Sequence, residues 1–143
     1  MEETEKAYLA GIIDSESCIT ITNSVGRSHQ LVLNICMVDK PVIEYLAKLT
    51  SSNMRVGRIT TSGKQSYQIA LSGRGVQQVL QDVKPYIIGK RNQVDLALMF
   101  PMMEYGCDGI SDETYELRNE IMGVLRMYNH GKGRAPKVIH RRT

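Results

Sequence analysis

A chain of 143 residues, 42% hydrophobic and 23% charged with only four prolines, has the make-up of one globular domain able to bury its own core. No apolar run reaches the roughly 20 residues of a membrane span, and the acidic start MEETEKAYLA lacks the basic lead and cleavage site of a signal peptide, so an intracellular protein is expected. The net charge of +3 is uneven: residues 126–143 carry Arg126, Lys132, Arg134, Lys137, Arg141 and Arg142 and no acid, which leaves 12 basic against 15 acidic side chains in residues 1–125. Such a basic tail suits either phosphate contact or a solvated terminus. Cys18, Cys36 and Cys107 are odd in number and widely spaced, fitting neither a disulfide framework nor a zinc site; they read as reduced thiols.

The first helix is predicted over residues 3–14, apolar around much of its circumference (Ala7, Tyr8, Ala10, Gly11, Ile12, Ile13) and therefore enclosed on most sides. Residues 17–24 switch to period two, with Ile19 and Ile21 on one face and Thr20 and Thr22 on the other. After a turn at Gly26, residues 29–38 alternate again: Leu31, Leu33, Ile35 and Met37 against Gln30, Val32, Asn34 and Cys36. Asp39 caps a second helix with Pro41 in its first turn and Val42, Ile43, Leu46 and Leu49 inward.

A second hairpin pairs Arg55–Thr61 with Gln65–Leu71 around Ser62-Gly63-Lys64. Its inward set is Ile59, Tyr67, Ile69 and Leu71, and its outward set Thr60, Ser62, Ser66, Gln68 and Ala70. Ser72 caps a third helix bearing the stripe Val76, Val79, Leu80, Val83, which Pro85 stops. Further helices cover about 89–101 and, after Ser111, about 112–128, the last with Leu117, Ile121, Val124 and Tyr128 inward.

The order α-ββ-α-ββ-α followed by helices predicts an α+β domain over residues 1–128, a four-stranded antiparallel sheet with helices on one face, and a tail over 129–143. The other sheet face is polar. Its Thr, Ser, Asn and Gln side chains are of the kind that read base edges in a major groove, although a sheet face left in water is the commoner outcome.

Leu9-Ala10-Gly11-Ile12-Ile13-Asp14-Ser15-Glu16-Ser17 is physically unusual. An apolar helix delivers two carboxylates at its C-terminal end, where the macrodipole is already negative and each is unfavourable by about 0.3–1 kcal/mol. A divalent cation would offset this, and oxygen ligands suit magnesium. Ala10 and Gly11 permit close approach of another helix, and a two-fold axis there would set two acidic ends side by side. On spacing alone, ordinary helix-end acids are the better explanation of the pair.

The nine residues resemble the LAGLIDADG signature of the homing endonucleases, and the single copy resembles the homodimeric branch of that family. The likeness extends over residues 5–128 through the element order and the Pro85–Leu96 segment. It implies motif helices paired at a dimer axis through residues 5–14, and a saddle-shaped sheet over DNA. It further implies magnesium as cofactor, with manganese substituting and calcium binding without supporting cleavage.

By this resemblance Glu16 is the metal ligand and main catalytic residue, with the Ser15 main-chain carbonyl as an additional ligand and Asp14 structural. Lys90 corresponds to a basic residue that orders water near the scissile phosphate, where it would polarise the nucleophile or stabilise developing charge. Asp39 falls at a polar position of the same solvent network. Three departures stand out: Glu16 replaces the usual Asp, Ser17 replaces the final glycine of the motif, and Ile43 occupies the place of a peripheral arginine.

DNA reading is expected on Thr20, Thr22, Ser24, Gln30, Asn34, Thr60, Ser62, Ser66 and Gln68, with Arg27, Arg55, Arg58 and Lys64 on phosphates. His29, His130 and His140 lack metal-ligand spacing, and His29 is expected exposed in a loop. The expected function is site-specific cleavage of both strands of a long, near-palindromic duplex, as intron or intein homing requires, inside a bacterial or phage-host cytoplasm or an organelle. No membrane and no small-molecule substrate is expected. The alternative is a cleavage-deficient binder, either an RNA maturase or a DNA-binding regulator.

Overall fold

The structure, a computed structural model, describes residues 1–23, 28–103 and 109–130. Helix α1 (Glu3–Glu16) runs without a loop into β1 (Ser17–Asn23), which pairs with β2 (His29–Met37). Then follow α2 (Lys40–Thr50), β3 (Arg55–Ile59), β4 (Gln65–Ser72), α3 (Arg74–Val83), a 3-10 turn at Lys84–Tyr86, α4 (Arg91–Met99) and α5 (Asp112–Asn129). The sheet is fully antiparallel in the order β1-β2-β4-β3, which gives the expected α-ββ-α-ββ-α arrangement. Among the described residues no helix is long and apolar enough to cross a membrane.

Period-two alternation does what the sequence predicts in the first hairpin. Ile19, Ile21, Leu31, Leu33 and Ile35 are buried against the helices together with Leu9, Ile13, Ile43, Leu46 and Leu80. The described helices therefore lie on one side, and no described residue covers the opposite sheet face. Pro41 sits in the first turn of α2, and the Ser111 side chain caps α5 by accepting the Thr114 N–H at 3.2 Å.

Four expectations need correction. In the second hairpin, Val56 pairs with Tyr67 and Ile59 with Gln65, so two residues oppose the single Ser66. This bulge breaks the alternation. Ile59, predicted inward, is 69% exposed, while Ser66, predicted outward, is 5% exposed and donates its hydroxyl to the Arg58 carbonyl.

Ser72 is not a helix cap. It remains in β4 opposite Val32, and Gly73, at φ 63°, makes the break before α3. On α5 the inward set is Arg118, Ile121 and Leu125, while Leu117 and Tyr128 are 40% and 44% exposed. The shift has a cause: the Arg118 guanidinium stacks over Phe100 at 4.7 Å and donates to the Pro101 carbonyl at 2.9 and 2.7 Å, hydrogen bonds strong enough to hold a charged residue inside. His29 is likewise buried rather than in a loop, its Nε2 2.8 Å from Asn119 Oδ1 and its ring beside Tyr115. With Asn129 donating to the Ile19 carbonyl at 2.8 Å, this pins α5 beneath the first hairpin.

Candidate active site and nucleic-acid interface

Helix α1 is buried through Leu9, Ala10 and Ile13, and uncovered at Thr4, Ala7, Tyr8, Gly11 and Ser15. The uncovered set recurs at three and four residues, so it forms one side of the helix. The helix is thus less enclosed than its composition suggests, and Ala10 belongs to the chain's own core; only Gly11 of the small pair lies open, with nothing within 4 Å of an added Cβ.

The helix runs two residues beyond the predicted 14, so Asp14, Ser15 and Glu16 all lie in its last turn. The two acids there differ sharply. Asp14 is half-buried, and its carboxylate accepts the backbone N–H of Ile88 at 2.8 Å and of Lys90 at 3.0 Å, fixing the start of α4. Glu16 is exposed, and its carboxylate accepts no hydrogen bond from the described residues. The Ser15 side chain donates back to Gly11 and Ile12, while its carbonyl is among the last four of the helix, which lack intrahelical partners.

Lys90, the N-cap residue of α4, reaches the end of α1. Its ammonium donates to the Ile13 carbonyl at 3.1 Å, to the Ser17 carbonyl, and to the Ser17 hydroxyl at 3.4 Å. An ammonium has three N–H groups, and three acceptors already face it. Asp14 and Lys90 thus form a reciprocal clasp: the Asp14 carboxylate sits at the start of α4 and the Lys90 ammonium at the end of α1, each with the sign of charge that helix end favours. Burial pushes the Lys90 ammonium below the usual lysine range, with Cys18, Asp14 and Glu16 opposing that shift.

Ser17 ends the helix at φ −96° and ψ 157°, extended backbone open to any residue, and its hydroxyl donates to Ile13 O at 2.6 Å. No glycine is needed at this motif position. Asp39 occupies the N-cap position of α2 without a side-chain cap bond and is exposed. Because Ser17 pairs with Ile35, β2 ends where β1 begins, and Asp39 lies at the same end of the sheet as Glu16. Ile43 is fully buried in the core, so this position turns away from that edge.

The open sheet face carries Cys18, Thr20 and Thr22 from β1, Gln30, Val32, Asn34 and Cys36 from β2, and Gln68, Ala70 and Ser72 from β4. Arg55 extends the row of Gln68, and Arg58, Ser62 and Lys64 are exposed along and beyond β3. Thr60 is half-buried and closes the tight turn, accepting the Lys64 N–H at 3.1 Å, while Gly63 takes φ 83°. Ser66 is withdrawn from the face by the bulge, and Ser24, Arg27, Cys107, His140 and the tail beyond His130 lie outside the described residues.

The sequence holds no acid between Glu16 and Asp39, nor between Glu44 and Asp82. All four strands are therefore free of carboxylates, and the cations Arg55, Arg58 and Lys64 meet no competing negative charge on them. That spacing of acids was readable in the sequence. The membership of Cys18, Val32, Cys36 and Ala70 in the face was readable too, from alternation, but these are not residue types that announce nucleic-acid contact.

A divalent cation fits this edge as a half-site. Among the described residues no three metal-ligating side chains cluster, yet Glu16 offers an unpartnered carboxylate beside the Ser15 carbonyl in the last turn of a helix. Magnesium commonly takes one or two carboxylates and fills its other positions with water.

No family model matches the sequence, and no curated protein does. Solved structures do. The homing endonuclease I-CvuI, in complex with its target in the presence of calcium, superposes with a TM-score of 0.64 at 18% identity over 92% of this chain and 86% of that one. The archaeal intron-encoded homing endonuclease I-Vdi141I, complexed with DNA, gives 0.55 at 13% identity over 92% and 100%. The LAGLIDADG homing endonuclease I-LtrWI, bound to target DNA, gives 0.62 at 24% identity over 93% of this chain but 46% of its own.

Proposed function

We propose that this chain, which has the fold of the LAGLIDADG homing endonucleases, is a site-specific DNA endonuclease that cuts both strands as a homodimer with a divalent metal. One observation carries the reading: an unpaired carboxylate, Glu16, at the rim of a sheet face that is polar, uncovered and free of acids. A polyanion can lie on such a face, and the acids it meets among the described residues stand at one rim, Glu16 with Asp39 at the same end of the sheet.

Glu16 and the Ser15 carbonyl are the proposed ligands of magnesium, which would act as a Lewis acid on the phosphodiester. Thr20, Thr22, Gln30, Asn34, Ser62 and Gln68 are the proposed base-reading groups, and Arg55, Arg58 and Lys64 the phosphate contacts. Asp39 is proposed to order water at the same end of the sheet. The homodimer rests on the open side of α1 and on proportion: the chain corresponds to 46% of I-LtrWI, so a second copy would supply the other half. A near-palindromic target follows from that symmetry, and encoding within an intron or intein is proposed from the likeness to the homing endonucleases alone.

The intact ammonium clasp gives Lys90 a positioning task rather than a water-polarising one, since its three N–H groups are committed to α1. It holds the helix end from which Glu16 projects. Lys90→Met is expected to slow single-turnover cutting about 10–100-fold, the scale of a lost supporting contact, and to leave DNA affinity within a few fold. Lys90→Arg, which still donates to carbonyls, should recover part of the rate. Equal loss in both variants would favour the water-polarising role.

Incubating the purified chain with a randomised duplex library, in magnesium and separately in calcium, tests the whole proposal. Cuts at one long, near-palindromic site in magnesium only are expected. Enrichment of a bound site without cuts in either metal would instead support the second reading, a cleavage-deficient binder, to which the core position of Ile43 lends weight.

A further inference from the structure

The centre of the open sheet face is not uniformly polar. Asn34 on β2 pairs with Cys18 on β1 and Ala70 on β4, and Val32 and Cys36 lie two residues to either side on the same face. One amide is therefore ringed by two thiols and two aliphatic groups, and its Oδ1 is buried without a hydrogen-bond partner. A buried acceptor left unpaired destabilises the free fold, and an aliphatic side chain in its place would not. No described residue uses this amide, so a ligand is the natural source of its partner.

The chemistry of that partner is narrow. Side by side, an amide offers one acceptor and one donor. On the major-groove edge only adenine presents the matching donor and acceptor, N6–H and N7, on one base. Guanine presents two acceptors there, cytosine a donor, and thymine an acceptor beside a methyl group. The terminal torsion of asparagine is broad, so the amide can turn its oxygen toward an incoming base edge. The soft ring suits the thymine methyl of the same pair, which the major groove sets beside the adenine edge.

We propose that Asn34 reads the adenine of an A·T pair through both ends of its amide, and that Val32, Ala70, Cys18 and Cys36 receive the thymine methyl. This rests on the reading that the sheet face binds duplex DNA. It changes the expected specificity in one respect: the middle of the face selects by apolar contact as much as by hydrogen bonds. Cys18 follows Glu16 by two residues, so the pair in question lies near the cutting edge rather than at the outer end of the site.

The test compares the full chain with Asn34→Val in a duplex-library selection in calcium, followed by affinity measurements on the best site. Wild type is expected to demand A·T at one position per half-site, with about a tenfold or greater loss on substitution there. Replacing that adenine with 7-deazaadenine should weaken wild-type binding and leave Asn34→Val unaffected, whereas replacing its thymine with deoxyuridine should weaken both, because the methyl contacts lie outside Asn34. The variant should melt at the same temperature or higher, because its unpaired acceptor is gone. An unchanged base preference in Asn34→Val, or a clearly lower melting temperature, would overturn the assignment while leaving DNA binding in place. Absence of any enriched duplex with the wild-type chain would overturn the DNA reading and this assignment together.

Discussion

Glu16→Gln is expected to abolish magnesium-dependent cutting, by about a thousandfold or more, without loss of fold or of specific DNA binding. The magnitude follows from removing a charged metal ligand, since metal ions contribute several kcal/mol of transition-state stabilisation and 1.36 kcal/mol is tenfold in rate. The sign on stability is opposite to that of most active-site changes in a buried pocket. Glu16 is exposed, bonds to nothing within the described chain, and sits at the negative end of α1. Neutralising it removes a charge from the negative end of α1, a gain of at most about 0.3–1 kcal/mol that the lost attraction to the Lys90 ammonium partly offsets, and relieves repulsion with phosphates. Denaturant unfolding, single-turnover cutting and DNA affinity in calcium check the three parts. Retained cutting would remove Glu16 from the metal site.

The neighbouring acid should behave in the reverse manner. Asp14→Ala is expected to destabilise the protein by about 2–4 kcal/mol, because its carboxylate holds the Ile88 and Lys90 amides and hydrogen bonds to a charged group are worth about 1.5–3 kcal/mol each. The unfavourable position of Asp14 at the end of its own helix offsets part of this, by up to about 1 kcal/mol. A fall in melting temperature of roughly 10 °C is the corresponding calorimetric result. Asp14→Asn keeps an acceptor and should lose less. Since the clasp also seats Lys90, Asp14→Ala and Lys90→Met should be non-additive in a double-mutant cycle, the double variant losing less than the sum. Additivity would show that the two contacts work separately. Two acids separated by one residue thus divide into one that holds the fold and one, Glu16, proposed for the chemistry, and stability distinguishes them before any cutting assay is run.

Much of this molecule is legible along the chain. Alternation in 17–23 and 29–37 places the first hairpin's core and open faces, Ser111 and Pro41 mark helix starts, and the order of elements follows from where the period changes from 3.6 to two. The motif at residues 9–17 points to Glu16, and the distribution of acids shows which strands a polyanion could approach. These are local signals, each contained within about one element.

Tertiary structure alone decided the rest. The bulge opposite Ser66 depends on how β3 meets β4: Ile59 keeps the register of Gln65 on the helix side yet lies exposed on the edge strand, and Ser66 is buried where two residues oppose it. The inward turn of Arg118 depends on a carbonyl at Pro101, and the burial of His29 on Asn119, 90 residues away. Lys90 reads as a lysine at a helix start until α1 is brought against it, 77 residues from Ile13, and its amine becomes the cap of the helix that carries Glu16. Periodicity reports which side of an element avoids water. It does not report which distant donor or acceptor will meet a polar group once the core has closed, and that meeting fixes where Asp14 and Lys90 are held.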